Sequence, residues 1–121
     1  MRTLALGLLL AVPAGALAQD CPYNSTYYTG NTGRMQIGAC LLNNARSITG
    51  WYWTTGRTYR VYRLEGTNVV QGQYDLNEYT NGTITARITL RKRLTAREVI
   101  WQGTMHNTDG RRIPVAFRRP R

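Results

Sequence analysis

An all-β fold, an antiparallel meander of about seven to eight strands curled into a barrel or folded over on itself, follows from three observations. Apolar residues alternate with polar ones at period two through most of the chain after Arg34. Gly- and Asn-bearing breaks interrupt that alternation at near-regular spacing, and no stretch shows helical periodicity. A flat antiparallel sheet of this size would leave its apolar face in water, so the sheet must close or fold over.

The first twenty residues, MRTLALGLLLAVPAGALAQD, stand apart: Arg2, an apolar run from Leu4 to Val12, then small residues at Ala16-Leu17-Ala18. The run is far shorter than the roughly 20 residues a bilayer crossing needs, so the pattern predicts a secretory signal peptide over 1–18 and a single β-domain over 19–121, exported to the periplasm or beyond the cell. Gln19-Asp20 before Cys21 lacks the small residues of a lipoprotein site, and no second apolar segment follows. Cys21 and Cys40 are the only cysteines, and an exported chain with two predicts one disulfide. That bond is expected to pin a strandless segment, Pro22 to Gly33, against the sheet edge.

The strands then read in order. Arg34 to Leu42 alternates around Met35, Ile37, Ala39 and Leu41; Ser47 to Thr54 places Ile48, Gly50 and Tyr52 on one face and Trp51 and Trp53 on the other. Arg57 to Glu65 follows after Thr54-Thr55-Gly56, with Gly56 expected in the left-handed conformation, Trp51 opposite Tyr59, and Tyr62 and Leu64 inward. A turn at Gly66-Thr67-Asn68 leads to Val69–Glu78, and Tyr79–Gly82 turns into Thr83–Arg91, with Ile84, Ala86, Ile88 and Leu90 inward. Arg97–His106 and Arg111–Arg118 complete the meander, burying Val99, Trp101 and Met105, then Ile113, Val115 and Phe117.

Gly50-x-Tyr52, Leu64-x-Gly66, Leu76-x-Glu78, Gly82 and Trp101-x-Gly103 are spaced in a way that resembles small exported bacterial β-sheet domains of unassigned function. The resemblance runs over residues 48 to 105 and implies the meander; Thr54 departs from it where a second tyrosine is expected after Tyr52. Secreted lysozyme-inhibitor barrels are similar in size, disulfide use and architecture, and such likeness carries no function.

Charge is the strongest compositional signal. Sixteen Lys plus Arg against six acids give a formal +10, and fifteen of the sixteen are Arg, which reflects either bidentate recognition of phosphate and carboxylate or base composition alone. In a meander alternate turns share an end, so Arg46, Arg91, Lys92, Arg93, Arg97, Arg118, Arg119 and Arg121 are expected to collect on one rim, opposed there by Glu65 and Glu98. Trp51 and Trp53 are either exposed binding anchors or covered by the Tyr27-Tyr28 segment or by the other half of a folded-over sheet. Glu78 continues the face of Tyr74 and Leu76, either as a carboxylate inside the core or as a rim residue held by an Arg or a Tyr hydroxyl. His106, the only histidine, falls on the outward face at a strand end, and no His/Cys/Asp/Glu grouping has metal-ligand spacing.

These features predict a non-enzymatic exported binding protein, without cofactor or metal, whose basic rim engages a polyanion: nucleic acid, acidic polysaccharide or anionic lipid. A protein-binding module, such as an inhibitor of a secreted hydrolase anchored by Trp51 and Trp53, is the alternative; a small nuclease using His106 is the third.

Overall fold

The computed structural model describes residues 21–22, 24–44 and 46–121; the expected signal peptide, 1–18, lies outside them. Eight strands follow one another: β1 (Thr26–Thr32), β2 (Met35–Asn44), β3 (Ser47–Thr54), β4 (Val61–Val70), β5 (Gln73–Thr80), β6 (Thr83–Leu94), β7 (Glu98–Asn107) and β8 (Arg112–Pro120). Each pairs antiparallel with the next, and β1 also pairs with β8, so the sheet closes into an up-and-down barrel. Closure leaves no unpaired edge, and eight strands enclose an interior just wide enough for side chains to fill or for one small ligand. Among the described residues no helix is long and apolar enough to cross a membrane.

Four sequence expectations change. The segment expected to be strandless is β1, and its pairing with both β2 and β8 completes the barrel. The turn expected at Gly66–Asn68 does not exist: β4 runs on to Val70 and the chain turns at Gln71-Gly72. Gly66 is instead an inward position where a Cβ would lie 1.9 Å from the Asp75 carbonyl oxygen, so glycine there serves strand contact rather than reversal. The central hairpin is longer than expected, with Gly56 outside the left-handed region and Trp51 opposite Arg63 rather than Tyr59, although Tyr62 and Leu64 do lie on the face of Tyr52 and Gly50. Finally, a bulge between Glu78 and Tyr79 skips Thr85, pairing Glu78 with Ala86 and Tyr79 with Ile84. That one-residue slip turns Ile84 out to solvent and brings the Thr85 hydroxyl to Glu78.

The β5–β6 turn shows local chemistry directing the fold. Asn81 and Gly82 have φ of 52° and 82°, as a two-residue hairpin with both central residues left-handed demands, and Asn-Gly is the pair that tolerates it best. The predicted Cys21–Cys40 disulfide is present and closes the chain just ahead of β1 onto β2, a constraint that stabilises by roughly 3 kcal/mol on the chain-entropy model.

The core is the barrel lumen, filled by Leu41, Ile48, Leu64, Ile88, Leu90 and Phe117 together with aromatic rings. Two ring stacks divide its length. Tyr74 and Trp101 stack with centroids 3.7 Å apart toward the end carrying the β2–β3, β4–β5 and β6–β7 turns and the C-terminus. Tyr52 and Tyr62 stack at 4.8 Å toward the opposite end.

Candidate functional site

At the first end, strand register sorts the expected basic rim by parity. Arg93 and Arg118 both pair with Ile100 from either side, so the three lie in one row on the outer wall; Ile100, although outward, is buried between its neighbours. Arg91 stands on the same face of β6. Together Arg91, Arg93 and Arg118 line an outer concavity of about 520 Å³ with Asn31 and Gln102. Arg97 and Arg121 join them at the rim, since the Arg121 amide donates to the Arg97 carbonyl (2.8 Å) and its guanidinium to the Thr95 carbonyl (2.9 Å). Opposing acid is sparse: Glu98 approaches Arg118 at 3.5 Å, and Arg91 and Arg93 have no ion pair among the described residues.

Three of the expected rim residues lie outside that row. Lys92 pairs with Trp101 on the inward parity of β6, with its ammonium 6.0 Å from that ring, but it is exposed at the strand end and also borders the concavity. Arg119 pairs with Val99 on the same inward parity, with its Nε buried and without a hydrogen-bond partner. Arg46 shares the end but sits on the β2–β3 turn, across β1 from β8. Glu65 lies on β4, where it pairs with Arg63 and so does not oppose the patch.

The tryptophans divide as well. Trp53 does face outward, yet it is only 3% exposed: it lies against Gly38 of β2, where a Cβ would meet its ring at 2.6 Å, and Tyr27 of β1 stacks on it at 6.2 Å. It is therefore a wall-packing residue and not an anchor. Trp51 remains half-buried in an apolar depression of about 220 Å³ with Pro22 and Leu42 beside the disulfide.

The opposite end holds a feature that strand patterning alone did not reveal. The lumen opens there into a mouth of about 410 Å³, and Glu78, 4% exposed, lines its inner part. The Tyr52 hydroxyl donates to Glu78 Oε2 and the Thr85 hydroxyl to Oε1 at 2.6 Å, so both oxygens are held by neutral donors. Of the two sequence alternatives for Glu78, the tyrosine-held one is present, but inside the mouth rather than on its rim. Its carboxylate has no ion pair among the described residues. Arg60 and Arg111 also line the mouth; Asp109 engages the Arg111 side chain at 2.8 Å. His106 is on the outer wall between Arg87 and Arg112, facing away from Glu78.

Three tyrosines, Tyr52, Tyr59 and Tyr74, are held above the usual phenol value, Tyr59 by burial alone. Burial, then the charge of Glu78 and the hydrogen bond to it, pushes the Tyr52 hydroxyl far up; burial, then Tyr28, pushes Tyr74 up to about 12, with the bond from Asn43 acting the other way. A folded value raised above the unfolded value of about 10 means stability fully present below pH 10 and lost as pH climbs through the folded value. The tyrosinate absorbance that belongs to Tyr52 and Tyr74 should thus rise late, together with unfolding by circular dichroism. Titration of every tyrosine near pH 10 with the fold intact would refute this burial pattern.

No protein-family model, curated protein or solved structure matches the chain.

Proposed function

We propose that this chain is an exported, non-enzymatic protein that binds a polyanion through the basic patch of β6, β7 and β8. The observation that carries it is the convergence of Arg91, Arg93 and Arg118 on one concave stretch of outer wall, with Arg97 and Arg121 at its edge and Glu98 the one acidic side chain in an ion pair with it among the described residues. Like charges crowded this closely repel, and an anionic ligand relieves that repulsion while releasing its own counterions. Arg suits the task because its planar fork engages phosphate, sulfate or carboxylate with two hydrogen bonds. The non-enzymatic part rests on geometry: His106 and Glu78 occupy opposite sides of the barrel wall and cannot act on one substrate.

A single-stranded oligonucleotide and heparin serve as probes. Replacing Arg93 or Arg118 with Gln should lower the salt at which the protein leaves a heparin column, and the double variant should lower it further. On the oligonucleotide, each substitution should reduce the slope of log affinity against log salt by roughly 1. Elution of the double variant at the parent salt concentration would sink the proposal. A protein-binding role has one observation in its favour, the apolar depression around Trp51. Its signature would be a salt-insensitive complex lost in Trp51→Ala and retained in the Arg variants.

A further inference from the structure

We propose that the mouth at the other end of the barrel, remote from the basic patch and independent of it, is a binding site for a small zwitterion, an ω-amino acid whose ammonium seats on Glu78 and whose carboxylate reaches Arg60. At about 410 Å³ the mouth falls within the roughly 300–1,000 Å³ typical of small-molecule sites. Its interior carries the recognition groups such a ligand needs.

A carboxylate taken out of water is costly unless it is paired, and Glu78 is compensated only by two hydroxyls. Two hydroxyl donors leave acceptor positions on a carboxylate, which has about four lone-pair sites. An ammonium brings the missing charge and up to three donors. Tyr62, stacked on Tyr52 and only partly buried, also lines the mouth and adds aromatic surface beside the carboxylate. Met105 and Ile113 supply apolar surface for the methylene stem between the two charged ends.

The entrance selects against a simple amine. Any ligand reaching Glu78 passes Arg60 and Arg111, in a protein whose net charge is already strongly positive. Asp109 offsets Arg111, whereas the Arg60 guanidinium has no ion pair among the described residues. Arg60 is also held in place at its backbone: its amide donates to Thr54 Oγ1 at 2.9 Å, and its carbonyl accepts from the Thr54 amide at 3.0 Å. The site thus presents a carboxylate inside it and a guanidinium at the entrance, neither in an ion pair among the described residues, the reverse of the dipole of an ω-amino acid entering ammonium first.

Isothermal titration calorimetry of the purified chain at low ionic strength, with glycine, γ-aminobutyrate and ε-aminocaproate, tests this against hexylamine and caproate as single-charge comparators. The tightest of the three amino acids should bind at least tenfold better than either comparator. Glu78→Gln should weaken it at least tenfold, and Arg60→Gln should reduce it to the level of the amine. Because a buried substitution can disturb folding, the unmodified protein supplies a second readout: the Met105 methyl resonance should shift on saturation. Caproate binding as well as the amino acids, unchanged affinity in Glu78→Gln, heat without a Met105 shift, or no binding of any of the three amino acids would each overturn the proposal.

Discussion

Gly103→Ala is expected to unfold the barrel at temperatures where the parent chain is intact. Gly103 faces the lumen on β7 opposite Leu90, and a Cβ built there lies 1.8 Å from the Thr89 carbonyl oxygen, 2.9 Å from its carbon and 3.2 Å from the Leu90 Cα. All three are backbone atoms of β6, so no side chain can rotate out of the way. Relief requires β6 and β7 to move apart, which breaks ladder hydrogen bonds, and in a closed barrel the displacement passes to every other strand pair. Ordinary core overpacking, which side chains partly absorb, costs about 1–3 kcal/mol; a backbone clash should cost at least about 3 kcal/mol. At roughly 4–8 °C per kcal/mol for a domain of this size, the melting temperature should fall by more than about 12 °C. A Cβ at Gly30, Gly50 or Gly66 would likewise lie 1.8 to 2.0 Å from a neighbouring carbonyl oxygen, so the lumen is narrow because its strands can coil tightly at these points. Gly56→Ala is the control, since nothing lies within 4 Å of its Cβ position. A Gly103→Ala protein melting within a few degrees of that control would show that the barrel is looser than described.

The period-two pattern made seven of the strands legible, and what it missed shares a cause. Alternation is visible only where the inward positions carry apolar side chains. On β1 they are Thr26, Tyr28, Gly30 and Thr32, so the strand that closes the barrel reads as a polar loop, even though Tyr27, one expected cover for Trp53, does stack on it. Gly66-Thr67-Asn68 has turn chemistry but sits mid-strand because Gly66 meets the neighbouring backbone, a contact that sequence cannot display. The basic end was legible because consecutive hairpins return to the same end. Which of its cations share the outward parity was not, for register decides that Arg91 and Arg93 stand on the outer face of β6 in one row with Arg118, while the Lys92 ammonium between them comes within 6.0 Å of the Trp101 ring. The mouth was least legible. Tyr52 and Glu78 are 26 residues apart on strands separated by β4, and Thr85 joins them only through a bulge.

Phe117→Ala should produce the largest loss among core truncations, and should carry the mouth with it. Phe117 has no exposed surface; its ring lies 6.4 Å from both Tyr28 and Tyr52, tilted 44° to each, and it pairs across the ladder with Trp101. Truncation removes a buried aromatic and leaves a cavity bounded by rings that cannot collapse into it, which places the cost at about 3–5 kcal/mol. In urea the midpoint should fall with the slope unchanged, since the surface exposed on unfolding barely alters. Tyr52 couples this loss to the site, because the ring that leans on Phe117 also donates its hydroxyl to Glu78. With one supporting face gone, Tyr52 gains freedom to tilt, and the stack with Tyr62 and the bond to Glu78 should both weaken. Below the unfolding midpoint, the variant should therefore bind the preferred ω-amino acid more weakly while its elution from heparin stays at the parent salt concentration, because Arg91, Arg93 and Arg118 stand on the outer wall. A variant that loses heparin affinity in the folded state, or keeps full ligand affinity despite the cavity, would contradict the separation of the two ends and the part Tyr52 plays between core and mouth.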